Sequence, residues 1–526
     1  MDTQTRPAIN PWIIGITVTM ATFMELLDTA IANVALPHIA GGLATTYDEA
    51  TWVLTSYLVA NAVVLPLSAW LSRVIGRKTY YMACVALFTA ASLLCGLAPS
   101  LGWLLFFRVL QGIAGGGLAP VEQAILVDTF PVSQRAAAFA LYSMAIVTAP
   151  VIGPPLGGWI TDHWSWRWIF FINIPIGAIS LYLTNLVVFD PPEFRREVEA
   201  ARADGWRKVD LLGIGLVAVG FSCLEVVLDR GQRLDWFESP LIVAFLSVAL
   251  AALAIAIWWE WRHPNPVVEV RLLKDRNFAL ATVFYLLFGF VLFGSTVLIP
   301  QLLQSLYRYT ATDAGLVLGP GALVILVLAP FVVRVLPKLN VAPLVAFGFG
   351  VLYLSMRWYA SFNPAADYAH FALARALQGL GFAGIFVPIS QLAYSYIPKE
   401  KNNSASSLTN LFRNQGGSFG IALVTTMLER RTTYHQGVLA GAADAYSGRL
   451  DGLIHRLTER FVAQGWTQAD AAAPALATAH RVLLQQAALL ASMDCFTVLA
   501  WIALLGVPAA LLIRRVQFTG EPSAGH

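Results

Sequence analysis

The sequence predicts an all-α polytopic membrane protein: two related six-helix bundles with two extra transmembrane helices, about fourteen in total. Three observations predict it: an apolar composition, a series of long apolar runs, and an internal repeat. Of the 526 residues 57% are hydrophobic and only 12% are Asp, Glu, Lys or Arg, with a mean hydropathy of +0.66. Soluble domains carry roughly a quarter charged residues, so a water-soluble globular protein is excluded. At about 20 apolar residues per crossing, the chain has room for a dozen or more spans.

The runs lie near 12–36, 51–71, 80–98, 102–124, 136–159 and 168–189, then near 211–228 and 240–261. A second group follows near 277–300, 313–335, 341–360, 367–392, 404–428 and 487–513. Each is too long and too evenly apolar for a barrel strand, so helix is the assignment. The chain divides into an N-terminal segment 1–11, a six-helix bundle 12–189 and a section 190–276 holding a linker, the two extra helices and a connecting loop. A second bundle 277–513 and a tail 514–526 complete it. The second bundle includes 430–486, where Leu450, Leu453, Ile454, Leu457 and Phe461 recur at helical spacing in a stretch too polar to cross a bilayer. That segment reads as an outer helical hairpin or a simple tether.

Placing the N-terminus inside gathers Arg73, Arg77, Lys78, Arg135, Arg195, Arg196, Arg202, Arg207, Lys208, Arg262, Arg271, Lys274 and Arg276 on the cytoplasmic side. Short outer loops keep only Arg167, Arg230, Arg233, Arg308 and Arg357. Lys and Arg concentrate in cytoplasmic loops, so both termini are expected in the cytoplasm. The polar start, followed by a full-length apolar run carrying acids, predicts no cleavable signal.

The formal charge of +3 is dispersed, which argues against a nucleic-acid partner. Cys84, Cys95, Cys223 and Cys495 lie in apolar stretches without CxxC spacing and read as small core residues. The eight histidines, read as lying in loops or near helix ends, form no metal-ligand pattern. No GxxxxGK[ST] phosphate loop is present, so ATP hydrolysis is not expected. No cofactor is implied.

The repeat is the most informative feature. RVLQGIAGGG (Arg108–Gly117) matches RALQGLGFAG (Arg375–Gly384) at an offset of 267 residues, which also aligns Pro131 with Pro398 and Gly153 with Gly420. Parallel six-helix halves place a binding cavity at their interface, and rocking of one against the other alternates access. The arrangement points to transport.

Ionisable groups within spans are costly and are functional candidates by default. Glu25 and Asp28, three residues apart, share a face of the first helix. Asp28 lies ~12 Å from the outer end of its helix, and Arg108, on an antiparallel helix, ~10 Å from its own. The two should meet. A carboxylate that gains and loses a proton with conformation is what proton coupling requires; a permanent ion-pair network would instead fix the bundle. The offset takes Asp28 to Ser295 and leaves no acid in the ninth helix, so proton chemistry is expected in the first half. Arg375 and Arg413 then orient carbonyls, pack, or contact a substrate. Glu122, Glu225 and Asp494 read as lying near helix ends and rank second. Gly153, Pro154, Gly157 and Gly158 put small residues at helical spacing beside prolines, which suits a hinge or a close helix contact.

Together these motifs resemble the major facilitator superfamily, and within it the fourteen-helix drug:proton antiporters of the EmrB/QacA type. The resemblance spans nearly the whole chain. LLDTAIANVALP (Leu26–Pro37) resembles the first-helix signature and supplies Asp28 and Asn33. WLSRVIGRK (Trp70–Lys78) resembles the loop-2/3 motif, with Gly76, Arg77 and Lys78 in place and Arg73 where an acid is common. Arg108, Gln111 and Gly112 match the helix-4 motif, whose arginine the family associates with proton transfer. Gly153 to Gly158 match the helix-5 antiporter motif, and WSWRWIFFINIPIG (Trp164–Gly177) is close to a hallmark of the fourteen-helix group.

The resemblance implies the major facilitator fold, a bacterial inner-membrane location and proton-driven export of small amphipathic or hydrophobic compounds. It also implies that such a protein works with a periplasmic adaptor and an outer-membrane channel. Candidate substrate contacts, placed by position, are Phe23, Met24, Asn33, Trp52, Tyr57, Gln111, Tyr285, Phe288, Phe293, Gln301, Arg375 and Arg413. An exporter dedicated to one metabolite, siderophore or organic acid would carry the same motifs. A membrane-embedded lipid-modifying enzyme would need a clustered nucleophile, a metal site or an interfacial carboxylate pair, and the sequence shows none.

Overall fold

Asn10 starts the first helix: its side chain accepts from the Trp12 backbone N–H at 3.0 Å, and Pro11 occupies the first turn, where its missing N–H is harmless. In the computed structural model, which describes residues 10–190, 198, 210–335, 340–442 and 449–514, that helix is α1, Pro11–Gly42. The first half continues with α2 (Trp52–Ile75), α3 (Arg77–Leu97), α4 (Leu101–Thr129), α5 (Val132–His163) and α6 (Trp168–Val187), the last interrupted at Ile172. Two further helices follow, α7 (Leu211–Arg230) and α8 (Pro240–Arg262). The second half comprises α9 (Arg276–Ser305), α10 (Ala311–Val335), α11 (Val341–Tyr359), α12 (Tyr368–Tyr394), α13 (Asn402–Ala442) and α15 (Gln468–Ala510). A smaller helix, α14 (Arg449–Ala463), lies between α13 and α15 and packs on α15. Asp210, Asp275, Asp367 and Thr467 cap α7, α9, α12 and α15, each accepting from a backbone N–H three residues on.

Twelve helices among the described residues are long and apolar enough to cross a membrane, and α10 and α13 complete the fourteen. The protein is a multi-pass membrane protein. α8 is the most apolar span and only 22% of its window is buried, so most of its surface is left for lipid.

The spans expected over 404–428 and 487–513 are parts of much longer helices. α13 and α15 run on beyond the apolar runs, so the 430–486 region consists largely of their continuations, tied by Arg431 and His435 of α13 bonding Asp494 of α15 at 2.6 and 2.8 Å. Asp494 therefore sits mid-helix in an ion pair and not near a helix end. His435 likewise lies inside α13.

The halves meet where α5 packs on α10 and α12, and where α2 and α4 pack on α13. Polar links across this seam gather toward the end that carries the chain's first helix start. Asn402 donates to Asp128 at 2.8 Å, Ser407 to the Leu65 carbonyl at 2.7 Å, and Asn410 to Gln123 at 2.8 Å; Ser406 donates to the Pro120 carbonyl. Asp128 is also ion-paired with Arg77. Gly76, at φ +98°, makes the sharp joint between α2 and α3 that aims Arg77, a backbone conformation favouring glycine. Arg73 donates to the Pro266 carbonyl at 3.5 Å, and Lys78 donates to Asp190 through its backbone N–H at 2.9 Å.

The extra pair bridges both halves. On the first-half side the loop after α7 donates from Arg233 to Thr51 at 2.7 Å, and Asp229 accepts from Thr55. On the second-half side Trp236 donates to Thr426 at 3.1 Å and Gln232 to Glu429 at 2.9 Å. Glu225 of α7 is buried against Ser418 of α13, which donates to it at 2.8 Å; it is enclosed between α7 and α13, not at a water-reached helix end.

Candidate functional site: a ladder of buried acids

Helix α4 approaches α2 through small residues. A Cβ at Gly112 would lie 2.4 Å from the Tyr57 carbonyl oxygen, and one at Gly116 2.8 Å from that of Asn61. This contact lets Arg108 reach across the half, where its Nε donates to the Val53 carbonyl at 3.0 Å and its Cζ lies 4.4 Å over the Tyr57 ring. Its Nη1 donates to Asp28 at 2.6 Å and to Gln111 at 2.7 Å. Asp28 also accepts from Gln111 at 3.0 Å and from Asn173 of α6 at 2.6 Å, and Ser92 of α3 accepts from Asn173 at 2.9 Å. Arg108, Gln111, Asn173 and Ser92 are fully buried and Asp28 nearly so. Buried charge at this depth is tolerable only when paired and hydrogen-bonded, as here.

One turn back along α1, Glu25 is held differently. It has no cation at bonding distance among the described residues; it accepts from the Tyr57 hydroxyl at 3.1 Å and from Asn61 at 3.0 Å. Gly115 supplies the room: a Cβ there would lie 2.6 Å from the Tyr57 hydroxyl and 3.2 Å from Glu25.

Glu122 forms a third rung. The expectation that it lies near a helix end, open to water, is corrected: α4 continues to Thr129 and the Glu122 side chain is fully buried against α1. Its Oε1 accepts from Thr19 at 2.6 Å. From Asp28 to Glu25 to Thr19 is three and then six residues of one helix, about 4.5 and 9 Å of rise. Three carboxyl groups thus descend one side of the first half. Glu122 also adjoins the seam, between Pro120 and Gln123, which accept from Ser406 and Asn410 of the second half. Arg413 of α13 donates to Tyr142 of α5 at 2.8 Å.

The second half repeats the frame without the acid. Arg375 donates to Gln378 at 2.5 Å and Gln378 donates to Ser295 at 2.7 Å, where Arg108, Gln111 and Asp28 stand in the first half. Among the other residues singled out from sequence, Met24, Tyr57, Tyr285 and Phe288 are packed in the interior, and Phe23 and Phe293 are half-buried. Tyr285 and Phe288 pack on Phe386 with ring centroids 5.8 and 5.5 Å apart, so they form the second-half core in this arrangement. Asn33 and Gln301 are exposed, away from the ladder, and Trp52 is exposed with Arg230 4.1 Å over its ring. Gly153 and Gly157 bring α5 against Ala30 and Ile31 of α1; Pro154 and Gly158 are half-buried beside them. Asn173, Ser92, Asn61 and Tyr142 were not singled out, although Asn173 lies inside the quoted WSWRWIFFINIPIG stretch.

Two pseudo-equivalent helix bundles with a ladder of buried acids inside one of them define a membrane-transporter architecture. The Major Facilitator Superfamily profile matches residues 18–421. The multidrug export protein EmrB of Escherichia coli is 38% identical over 446 residues, 85% of each chain, and the fatty acid resistance protein FarB of Neisseria gonorrhoeae is 35% identical over 521 residues, 99% of each chain. Among solved structures, the proton:xylose symporter XylE superposes with a TM-score of 0.57 at 13% identity, covering 92% of this chain and 94% of that one, a likeness of fold. The chain belongs to the major facilitator superfamily, in its EmrB/QacA-type branch. It is a transporter of the drug-efflux kind rather than an enzyme.

Proposed function

We propose that this protein is a proton-coupled antiporter that exports amphipathic or hydrophobic compounds across the bacterial inner membrane by alternating access. The single observation that carries the reading is the acid ladder of Asp28, Glu25 and Glu122. Only Asp28 is ion-paired within it among the described residues; Glu25 and Glu122 are held by neutral donors. A buried carboxyl with only neutral partners is more easily neutralised by a proton than held charged. Parting of the Ser406 and Asn410 contacts would uncover the Glu122 end of the ladder, and closure would cover it again. Loosening of the Asp28–Arg108 bond would link this end of the ladder to the movement of α1 against α4. The end bearing the first helix start is assigned to the cytoplasm from the Lys/Arg bias of the loops.

The name of one relative, a multidrug export protein, supports export of drugs, and that of the other, a fatty acid resistance protein, supports a narrower reading, an exporter dedicated to organic acids. The outward continuations of α13 and α15, with α14, are assigned as the surface for a periplasmic adaptor that leads to an outer-membrane channel.

The test is efflux of a fluorescent hydrophobic dye from proteoliposomes under an imposed pH gradient. Asp28→Asn, Glu25→Gln, Glu122→Gln and Arg108→Ala are compared with wild type. At least one acid variant should lose gradient-driven efflux while eluting as a folded protein. Unchanged efflux from the triple acid variant overturns the assignment.

A further inference from the structure

A guanidinium buried without an anion is an incomplete structure, because burying a charge is costly unless a partner offsets it. Arg375 is 2% exposed, and among the described residues no carboxylate pairs with it. Its bonded neighbours are neutral: Gln378, and through Gln378 the Ser295 hydroxyl. The internal repeat shows what is missing. Arg108, Gln111 and Asp28 become Arg375, Gln378 and Ser295 at the same offset of 267, and the glutamine amide donates to the third residue in both halves. Where Asp28 brings a carboxylate to Arg108, Ser295 brings a hydroxyl. The packing around the two arginines also differs. Tyr57 stacks on Arg108, whereas Gly321 of α10 faces Arg375, and a Cβ there would lie 3.1 Å from its Nε.

The rest of the same helix face is apolar. Phe382 and Phe386 lie seven and eleven residues on from Arg375, the spacing that keeps side chains on one side of α12. Phe288 packs against both, with centroids 5.2 and 5.5 Å away. A charged seat followed by an aromatic stripe fits a ligand with an anionic head and an apolar tail. We propose that Arg375, Gln378 and Ser295 form the headgroup site for an amphipathic carboxylate cargo, the cargo's carboxylate taking the place that Asp28 fills in the first half. The inference rests on the export reading and names the headgroup chemistry and its seat.

The experiment measures equilibrium binding to the full-length protein in lipid nanodiscs by calorimetry, with no pH gradient, using decanoate, acetate and decyltrimethylammonium. Ser295→Asp supplies the missing carboxylate from within and should fold with an unchanged or raised thermal midpoint. It should lower decanoate affinity at least tenfold and leave the cationic amphiphile unaffected. Arg375→Gln should lower decanoate affinity similarly, with partial recovery in Arg375→Lys, so the result does not depend on one variant folding. Wild-type decanoate affinity in both Ser295→Asp and Arg375→Gln overturns the proposal. So does acetate binding as tightly as decanoate, which would mark a site for any small anion. The triple acid variant (Asp28→Asn, Glu25→Gln and Glu122→Gln) separates this from coupling: it should still bind decanoate and should fail in gradient-driven efflux. Normal efflux by that triple variant together with lost binding in Ser295→Asp would sink the coupling and leave the site.

Discussion

Arg108 holds Asp28 at 2.6 Å in a chamber where neither side chain meets solvent. The pair joins α4 to α1, and Gln111 and Asn173 complete the bonding of the carboxylate. Removing one partner of a buried ion pair strands the other, which costs about 3–5 kcal/mol, whereas removing both is far milder. Arg108→Ala should therefore lower the thermal unfolding midpoint in detergent more than Arg108→Ala combined with Asp28→Asn. Equal loss in both would mean that the pair contributes no mutual stabilisation.

That pairing was legible before any coordinates, because helix direction and rise set depth, and two residues at equal depth in adjacent antiparallel helices can meet. What sequence did not give was the remainder of the shell. Asn173 and Ser92 reach Asp28 because α6 and α3 pack as they do, and facing of this kind between distant segments is not written in any local pattern. Glu122 was misplaced for a related reason. The apolar run ends near Ala124 while the helix continues to Thr129, since the polar last turn is held by Arg77 on Asp128. Hydropathy marks the thickness of hydrocarbon crossed, not the length of the helix. The same distinction explains α13 and α15, whose outer turns are helical but too polar to register as spans. The second-half triplet was partly readable: the offset that relates Arg108 to Arg375 also relates Gln111 to Gln378.

Gly115 is the cradle of Glu25. A methyl group there would lie 2.6 Å from the Tyr57 hydroxyl and 3.1 Å from the Asn61 amide, the two groups that bond the carboxyl. Gly115→Ala should displace both and lower dye efflux at least about tenfold, since misplacement of about 1 Å in a reacting constellation can cost far more. Gly102→Ala, on the same helix with nothing within 4 Å, is the matched control and should transport normally. Full activity in Gly115→Ala would detach the Tyr57–Glu25 contact from function.

The seam at the first-helix-start end is latched by Asn402 on Asp128, itself ion-paired with Arg77. Loss of one such hydrogen bond weakens closure by about 1 kcal/mol, or a factor of about five in the open fraction. Thiol labelling can read this. Cys84, Cys95, Cys223 and Cys495 are all buried, and Ala405, beside the Ser406 and Ser407 contacts, is fully buried and makes no side-chain hydrogen bond to lose. A maleimide should therefore label Ala405→Cys about five times faster when Asn402→Ala is also present. An unchanged rate would show that the latch does not hold the seam shut.

The small residues of α5 set how closely α1 can lie. A Cβ at Gly153 would meet that of Ala30 at 2.4 Å, and one at Gly157 would meet Ile31 at 2.9 Å, positions two and three residues beyond Asp28. At Gly153 neither α1 nor α5 can yield locally, because the clash is with the Cβ of Ala30, which is fixed to the backbone. The helices must part, at an overpacking cost of about 1–3 kcal/mol. Parting them at this depth moves Asp28 relative to Arg108 and opens a path between α1 and α5. Gly153→Ala should thus lower dye efflux and at the same time raise passive proton leak in protein-containing vesicles loaded with a pH-sensitive dye. Gly215→Ala on α7, where nothing lies within 4 Å, should do neither. A Gly153→Ala variant that transports normally and leaks no protons would show that the α1–α5 contact is not the seal this spacing implies.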